Sequence, residues 1–194
     1  MKIVLASNNA KKRKELSSIL AALGIDLASP DETTFVDVIE DGETFADNAR
    51  KKAEAFAAAN ELPALADDSG LCVEALDGAP GVYSSRFAGE GASDAENNTK
   101  LLSDMQGVEN RSAHFVCSLC LIFPDGKPAV TADGETDGTI LLKADGAEGF
   151  GYDPLFFSND LNKSFASASA EEKASVSHRG RALRMFAERL QPLV

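Results

Sequence analysis

The chain opens with a strand at residues 1–6 whose apolar run is Ile3 to Ala6, a polar turn Ser7-Asn8-Asn9, and a helix bearing Leu16, Ile19, Leu20 and Leu23 on one face. Gly24 stops that helix, and a short apolar run at 25–29 follows as a second strand. This β-α-β opening commits the chain to a sheet with helices packed on its faces. Further along, two longer runs at 112–123 and 128–136 flank Pro124-Asp125-Gly126, the pattern of a hairpin. Parallel crossover and hairpin together predict an α/β protein built on a mixed β-sheet with flanking helices.

Between these parts, residues 31–42 form an acidic loop. A second helix runs from Thr44 to about Asn60, with Phe45, Ala49, Ala53 and Phe56 as its buried stripe, and residues 62–66 read as a short buried strand. Residues 93–105 and about 177–190 read as further helices. Glycine and proline punctuate turns at Pro80-Gly81 and at Gly149-Phe150-Gly151-Tyr152-Asp153-Pro154. No repeat, linker or low-complexity tract interrupts the 194 residues, a length that suits one large domain or two lobes sharing a core.

With 31 acidic against 19 basic residues, the net charge of −12 argues against non-specific binding to nucleic acid or an anionic membrane. The basic residues cluster at Lys11-Lys12-Arg13-Lys14, at Arg50-Lys51-Lys52, and at Lys173 with His178-Arg179-Gly180-Arg181. Such clusters suit one small polyanion, or simply solvated helix faces. Cys117 and Cys120 have the spacing of a metal or redox pair but lie in a strand, where positions i and i+3 face opposite ways, so both read as core thiols. The N-terminal apolar run is too short for a signal peptide and no stretch is long enough to span a bilayer, so a cytoplasmic, reduced protein is the expectation.

Chemistry concentrates in a few places. Asp67 and Asp68 follow the 62–66 strand where it is expected to give way to a turn. Neighbouring side chains there point opposite ways, so one carboxylate can face a site while the other braces the loop or lies behind the first; a solvated turn with an Asx cap is the plain alternative. A carboxylate in a cleft can hold a hard cation or take a proton from water. Ser7-Asn8-Asn9-Ala10-Lys11-Lys12 is a strand-to-helix turn whose backbone N–H groups can cradle phosphate, and equally an ordinary helix cap. Glu40 can join Asp68 around a cation if its loop folds back, and Asn48 and Lys52 share a helix face. Phe150, Gly151, Tyr152 and Asp153 offer aromatics to a flat base, or else form a tight turn into the core.

These segments, together with Gly42-Glu43-Thr44-Phe45-Ala46-Asp47-Asn48-Ala49, Gly78-Ala79-Pro80-Gly81-Val82-Tyr83-Ser84-Ser85-Arg86 and Ser177-His178-Arg179-Gly180-Arg181-Ala182, stand in the order of a known family. The chain resembles the inosine/xanthosine triphosphate pyrophosphatases, the Ham1-like or RdgB-like nucleotide house-cleaning enzymes. The resemblance implies a single domain over 1–194, an elongated two-lobed fold with the active site in the cleft between lobes, and a homodimer. It implies magnesium-dependent hydrolysis of ITP, dITP and XTP to the monophosphate and pyrophosphate, removing them from the nucleotide pool.

By position, the resemblance makes Asp68 the proton acceptor and a magnesium ligand, with Glu40 the second ligand. It assigns Ser7, Asn8, Asn9, Ala10, Lys11, Lys12, Lys52 and Ser69 to the triphosphate, and Phe150, Gly151, Tyr152, Asp153, Lys173, His178 and Arg179 to the nucleotide, chiefly its base. Two departures stand out: Ser7 where the family often has Thr, and Phe165-Ala166-Ser167-Ala168-Ser169 where an acidic residue is expected after Phe-Ala. The rival readings are a Maf-like nucleotide pyrophosphatase, which also opens with a strand and a Ser-containing basic turn, and a non-catalytic nucleotide-binding sensor.

Overall fold

The structure, a computed structural model, describes residues 1–22 and 24–191; Leu23, expected on the first helical face, lies outside them. The strands are β1 (Lys2–Ala6), β2 (Asp26–Leu27), β3 (Ala64–Val73), β4 (Ser112–Ile122), β5 (Val130–Ile140), β6 (Phe156–Ser158) and β7 (Lys163–Ser164). The helices are α1 (Ala10–Ala22), α2 (Phe45–Asn60), α3 (Asp94–Asp104), α4 (Ala170–Val176) and α5 (His178–Leu190). Among the described residues the strands form one sheet in the order β2-β1-β3-β4-β5-β6-β7. β1 pairs parallel with β2 and β3, while β5–β6 and β6–β7 are antiparallel, so the sheet is mixed as expected.

The chain divides into two compact units. The first holds Met1–Asp68, Cys117–Gly134 and the chain from Arg179 onward; the second holds Ser69–Val116 and Glu135–His178. In the first unit strand alternation builds two cores. Ile3, Leu5 and Leu65 pack with Leu16 and Leu20 of α1 and Leu183, Phe186 and Leu190 of α5. Val4, Ala6, Ala64 and Ala66 point the other way onto Ala49, Ala53, Phe56 and Ala57 of α2. The alanines there let α2 approach closely, and burying Phe56 stabilises this face by about 2–3 kcal/mol. Cys117 joins the first core and Cys120 the second, as the strand reading required. In the second unit Leu71, Val73, Phe115, Phe156 and Phe165 form the centre of the core.

Several boundaries differ from the sequence reading. β3 continues to Val73, so the acidic pair sits in mid-strand rather than at a strand end; Leu71 and Val73 are fully buried and extend the pairing. β2 is only two residues long, because Pro30 begins a 3₁₀ turn, Pro30–Glu32, soon after it. β5 reaches Ile140 on a strict in–out alternation in which Gly134, Thr136 and Gly138 face inward. α4 was not foreseen; Ser169 caps it, its hydroxyl accepting the Glu172 N–H. Among the described residues no helix is long and apolar enough to cross a membrane.

Candidate active site

In the first unit, β1, α1, α2, β3 and α5 bring charged side chains together. Asp67 and Asp68 point opposite ways from β3, and both are buried. Asp68 Oδ1 lies 3.4 Å from Lys52 Nζ, and its Oδ2 accepts a hydrogen bond from Asn48 Nδ2 at 3.1 Å. Lys52 Nζ also donates to Glu40 Oε2 at 2.9 Å. Lys52, expected on a helix face with no settled partner, is therefore buried between two carboxylates. Burial would lower its pKa, but Asp68, Asp67 and Glu40 raise it, so the ammonium stays charged.

The Glu40 loop reaches this spot because Asn48 binds it. Asn48 Oδ1 accepts the Gly42 N–H at 2.8 Å while its Nδ2 holds Asp68, so one buried amide ties the loop to the strand. A Cβ at position 42 would stand 2.7 Å from that Oδ1, which is why glycine is needed there. Asn8 Nδ2 donates to Val36 O at 3.1 Å, and Asn60 makes two hydrogen bonds with the Thr34 backbone, fixing the base of the same loop.

Burial, reinforced by the Glu40 charge, pushes the Asp68 carboxyl above its usual range despite Lys52 and Lys12. Burial also acts to raise Glu40, but the Lys52 ion pair and hydrogen bond hold it below its usual range. Asp67 is the opposite case to Asp68. Its Oδ2 accepts from Arg179 Nη2 at 3.0 Å and lies 3.5 Å from Lys12 Nζ. Burial there is outweighed by Lys12 and Arg179, which hold the carboxyl far below the usual range. Arg179, 1% exposed, also donates to Glu15 Oε2 at 2.7 Å.

The Ser7 turn is capped from within. Asn9 Oδ1 accepts the N–H groups of both Lys11 and Lys12 at 3.0 Å, and Ser7 Oγ accepts the Asn9 N–H at 3.3 Å. The Lys12 ammonium turns to Asp67, while Asn8, Asn9, Ala10 and Lys11 are exposed.

The second unit holds Ser69, half-buried on β3, and the aromatic turn. Lys173 Nζ donates to Asp153 Oδ2 at 2.7 Å and lies 4.8 Å from the centroid of the Phe150 ring. Asp153 Oδ2 also accepts the Phe150 N–H at 2.9 Å, and Tyr152 Oη donates to Ser84 O at 2.8 Å. His178 stacks on Phe115 with centroids 4.7 Å apart. The Phe165 stretch that lacks the expected acid forms a 3₁₀ turn whose Ser167 hydroxyl donates to Asp145.

The predicted residues thus gather into two groups: Ser7, Lys12, Glu40, Lys52, Asp67, Asp68 and Arg179 in the first unit, and Phe150–Asp153, Lys173 and His178 in the second. The sequence reading missed Glu15, whose only signal was a lone acid three residues after Lys12 in a basic helix start. It also missed Asp94, Asn98 and Ser84 around the aromatic turn.

The fold and its charged groups define a class: an α/β protein with a buried carboxylate, lysine and asparagine set beside a basic strand-to-helix turn. The Ham1 family model matches residues 3–189, and the chain belongs to the Ham1 family. It is 51% identical to the dITP/XTP pyrophosphatase of Desulfotalea psychrophila over 93% of this chain and 81% of that one. It is 50% identical to the dITP/XTP pyrophosphatase of Desulforamulus reducens, over 100% of this chain and 97% of that one. Among solved structures, a HAM1 protein from Coxiella burnetii superposes with a TM-score of 0.88 at 39% identity, covering 99% of each chain.

Proposed function

We propose that this protein is a nucleoside triphosphate pyrophosphatase that hydrolyses non-standard purine nucleotides, ITP, dITP and XTP, to the monophosphate and pyrophosphate in the cytoplasm. The observation that carries the reading is Asp68: a buried carboxylate with raised proton affinity, held in place by Asn48 and Lys52 beside a second carboxylate, Glu40. Its relatives named dITP/XTP pyrophosphatase support the substrate class.

Water attacks phosphorus, the anhydride bond between the α and β phosphates breaks, and its electron pair leaves on the departing oxygen. Asp68 takes the proton from the water at a carboxylate oxygen. Asp67 is unsuited to that task, because a carboxyl held so far down has little affinity for a proton. Lys52 and Lys12 offset phosphate charge by position and electrostatics, exchanging their present carboxylate partners for the polyanion. Arg179, fixed between Asp67 and Glu15, holds Asp67 rather than the base.

The donor set fits magnesium. Glu40 and Asp68 converge on one cationic group, Lys52 Nζ, and both present the hard oxygens this ion takes. Among the described residues no three His, Cys, Asp or Glu side chains form a closed cage, and magnesium is held by one or two carboxylates with water and phosphate completing its shell. When bound it polarises phosphoryl oxygens and acidifies a bound water.

The second unit recognises the base. Phe150 offers a ring face, and hypoxanthine and xanthine present a 6-oxo acceptor where adenine has a donor. The Phe150 N–H is spent on Asp153 and the Gly151 N–H on Asp94, so recognition falls to the Lys173 and His178 side chains.

The test is pyrophosphate release from ITP, XTP, ATP, GTP and dTTP, with magnesium and with EDTA, beside Asp68→Asn. Magnesium-dependent release from ITP and XTP, lowered about 100-fold or more in the variant, is the expected result. Orthophosphate as the direct product, or binding of ITP without turnover, refutes the reading; preference for dTTP favours a pyrimidine-directed enzyme.

A further inference from the structure

The turn Phe150–Asp153 is gripped from a distant helix. Asp94 Oδ2 accepts the Gly151 N–H at 3.0 Å, and Asn98 Nδ2 donates to Gly151 O at 2.9 Å. Both polar groups of one glycine are thereby held by two side chains four residues apart, which share a face of α3. That helix is itself firmly started: Ser93, just before Asp94, and Glu96, two residues after it, form a reciprocal capping box.

Gly151 adopts a left-handed conformation, φ +60°, with nothing within 4 Å of where a Cβ would stand. Glycine is required here by backbone conformation and not by crowding. A residue so free to move is where a turn would lose its shape, and it is the one that α3 clamps. Asn98 also shows the cost of the contact. With its Nδ2 committed to Gly151 O, its Oδ1 is a buried oxygen without a hydrogen-bond partner among the described residues. An amide held so one-sidedly is placed for the contact it does make.

The neighbours of Gly151 are tied differently. Tyr152 is fixed through Ser84, and Asp153 through Lys173, within the group already assigned to the base. The hydrogen bonds to Gly151 come from α3, a helix outside that group.

We propose that Asp94 and Asn98 are positioning residues for base selectivity: by clamping both polar groups of Gly151 they set where the Phe150 ring stands beside Lys173. This rests on the reading that the Phe150 turn receives the purine. Neither residue touches substrate. Losing either bond leaves the phosphate chemistry of the first unit intact and loosens the ring, so the loss falls on KM and on the ITP-to-ATP preference rather than on kcat.

The experiment is steady-state kinetics with ITP and ATP for Asp94→Ala, Asn98→Ala, the double variant, Asp94→Asn and Phe150→Ala. Asp94→Ala and Asn98→Ala are expected to raise KM for ITP about five- to tenfold each, the worth of one hydrogen bond, with kcat within about twofold. The ITP-to-ATP ratio of kcat/KM falls by a similar factor. The double variant is scarcely worse than the singles, since both act through one peptide group, and Asp94→Asn, which keeps an acceptor oxygen, behaves as wild type. Unchanged KM and ratio in the alanine variants, while Phe150→Ala abolishes the preference, overturns the clamp and leaves the base reading standing. A loss confined to kcat, or equal loss in Asp94→Asn, also overturns it. A preference that survives Phe150→Ala removes the base reading and this proposal with it.

Discussion

Arg179 Nη2 lies 3.0 Å from Asp67 Oδ2, with both side chains buried although they stand 112 positions apart in the chain. The neighbouring carboxylate, Asp68, faces the other way onto Lys52 and Asn48. One strand thus carries a carboxylate whose charge is locked and another whose proton affinity is raised, and each has a separate test.

Arg179→Met strands Asp67 as a buried acid and takes the same partner from the half-buried Glu15. Loss of one member of a buried pair costs about 3–5 kcal/mol, read as a shift in the urea midpoint at constant slope. Asp68→Asn removes a carboxylate that burial disfavours and leaves Lys52 paired with Glu40, so its stability loss is expected to be clearly smaller while turnover is lost. If Asp68→Asn destabilised as much as Arg179→Met, the two carboxylates would not have the separate roles assigned to them.

Gly42→Ala places a methyl 2.7 Å from Asn48 Oδ1 and 2.8 Å from Asp47 Cβ. Asn48 must move, releasing both the Gly42 N–H and Asp68. The expected result is at least a tenfold fall in kcat with a stability loss of about 1–3 kcal/mol, and Asn48→Ala should reproduce the kinetic defect. Full activity in Gly42→Ala would show that Asn48 does not position the loop.

The thiols give an inexpensive check on the strand faces. Cys117 and Cys120 are buried in different cores, and burial raises both thiols, so neither reacts nor pairs with the other. A thiol-specific reagent applied to native protein should label Cys72, the half-buried one, slowly, and all three only after denaturation. Rapid labelling of Cys117 would contradict the fold.

Glu32 supplies a pH signature away from the site. A hydrogen bond from Lys2, 2.6 Å long, and further bonds from Ser29 lower its carboxyl from 4.5 to about 2. A lowered acid contributes its stability fully above the ordinary value and loses it as pH falls through the folded one. The stability difference between wild type and Glu32→Gln should therefore shrink as pH drops from 4.5 to 2 in urea titrations. The pair is exposed, so the effect is small. A difference constant across that window would rule the pair out as its source.

Much of the fold was legible because its signals are local. The alternation of Ile3 and Leu5 against Val4 and Ala6 decides which side chains meet α1 and α5 and which meet α2, and that alternation is written in six residues. The stripe of α2, the glycine after α1 and the opposed cysteines follow from periods of 3.6 and 2 in the same way. The continuation of β3 through Asp67 and Asp68 was hidden, since two adjacent acids look like a turn until each charge finds a partner.

The partners themselves were not legible. Lys52 reads as a helix lysine that points at phosphate or at water, and only the fold places Glu40 and Asp68 around it. Arg179 reads as a donor for a base, yet Asp67 and Glu15, the latter 164 residues away, take its guanidinium. Gly151 reads as a glycine that lets the backbone approach a base or turn tightly into the core, and its partners Asp94 and Asn98 show only in the fold. Periodicity records which face of an element leaves water, because that depends on near neighbours. It carries no record of which distant charge waits there, and the energy of a buried charge is set almost wholly by that partner.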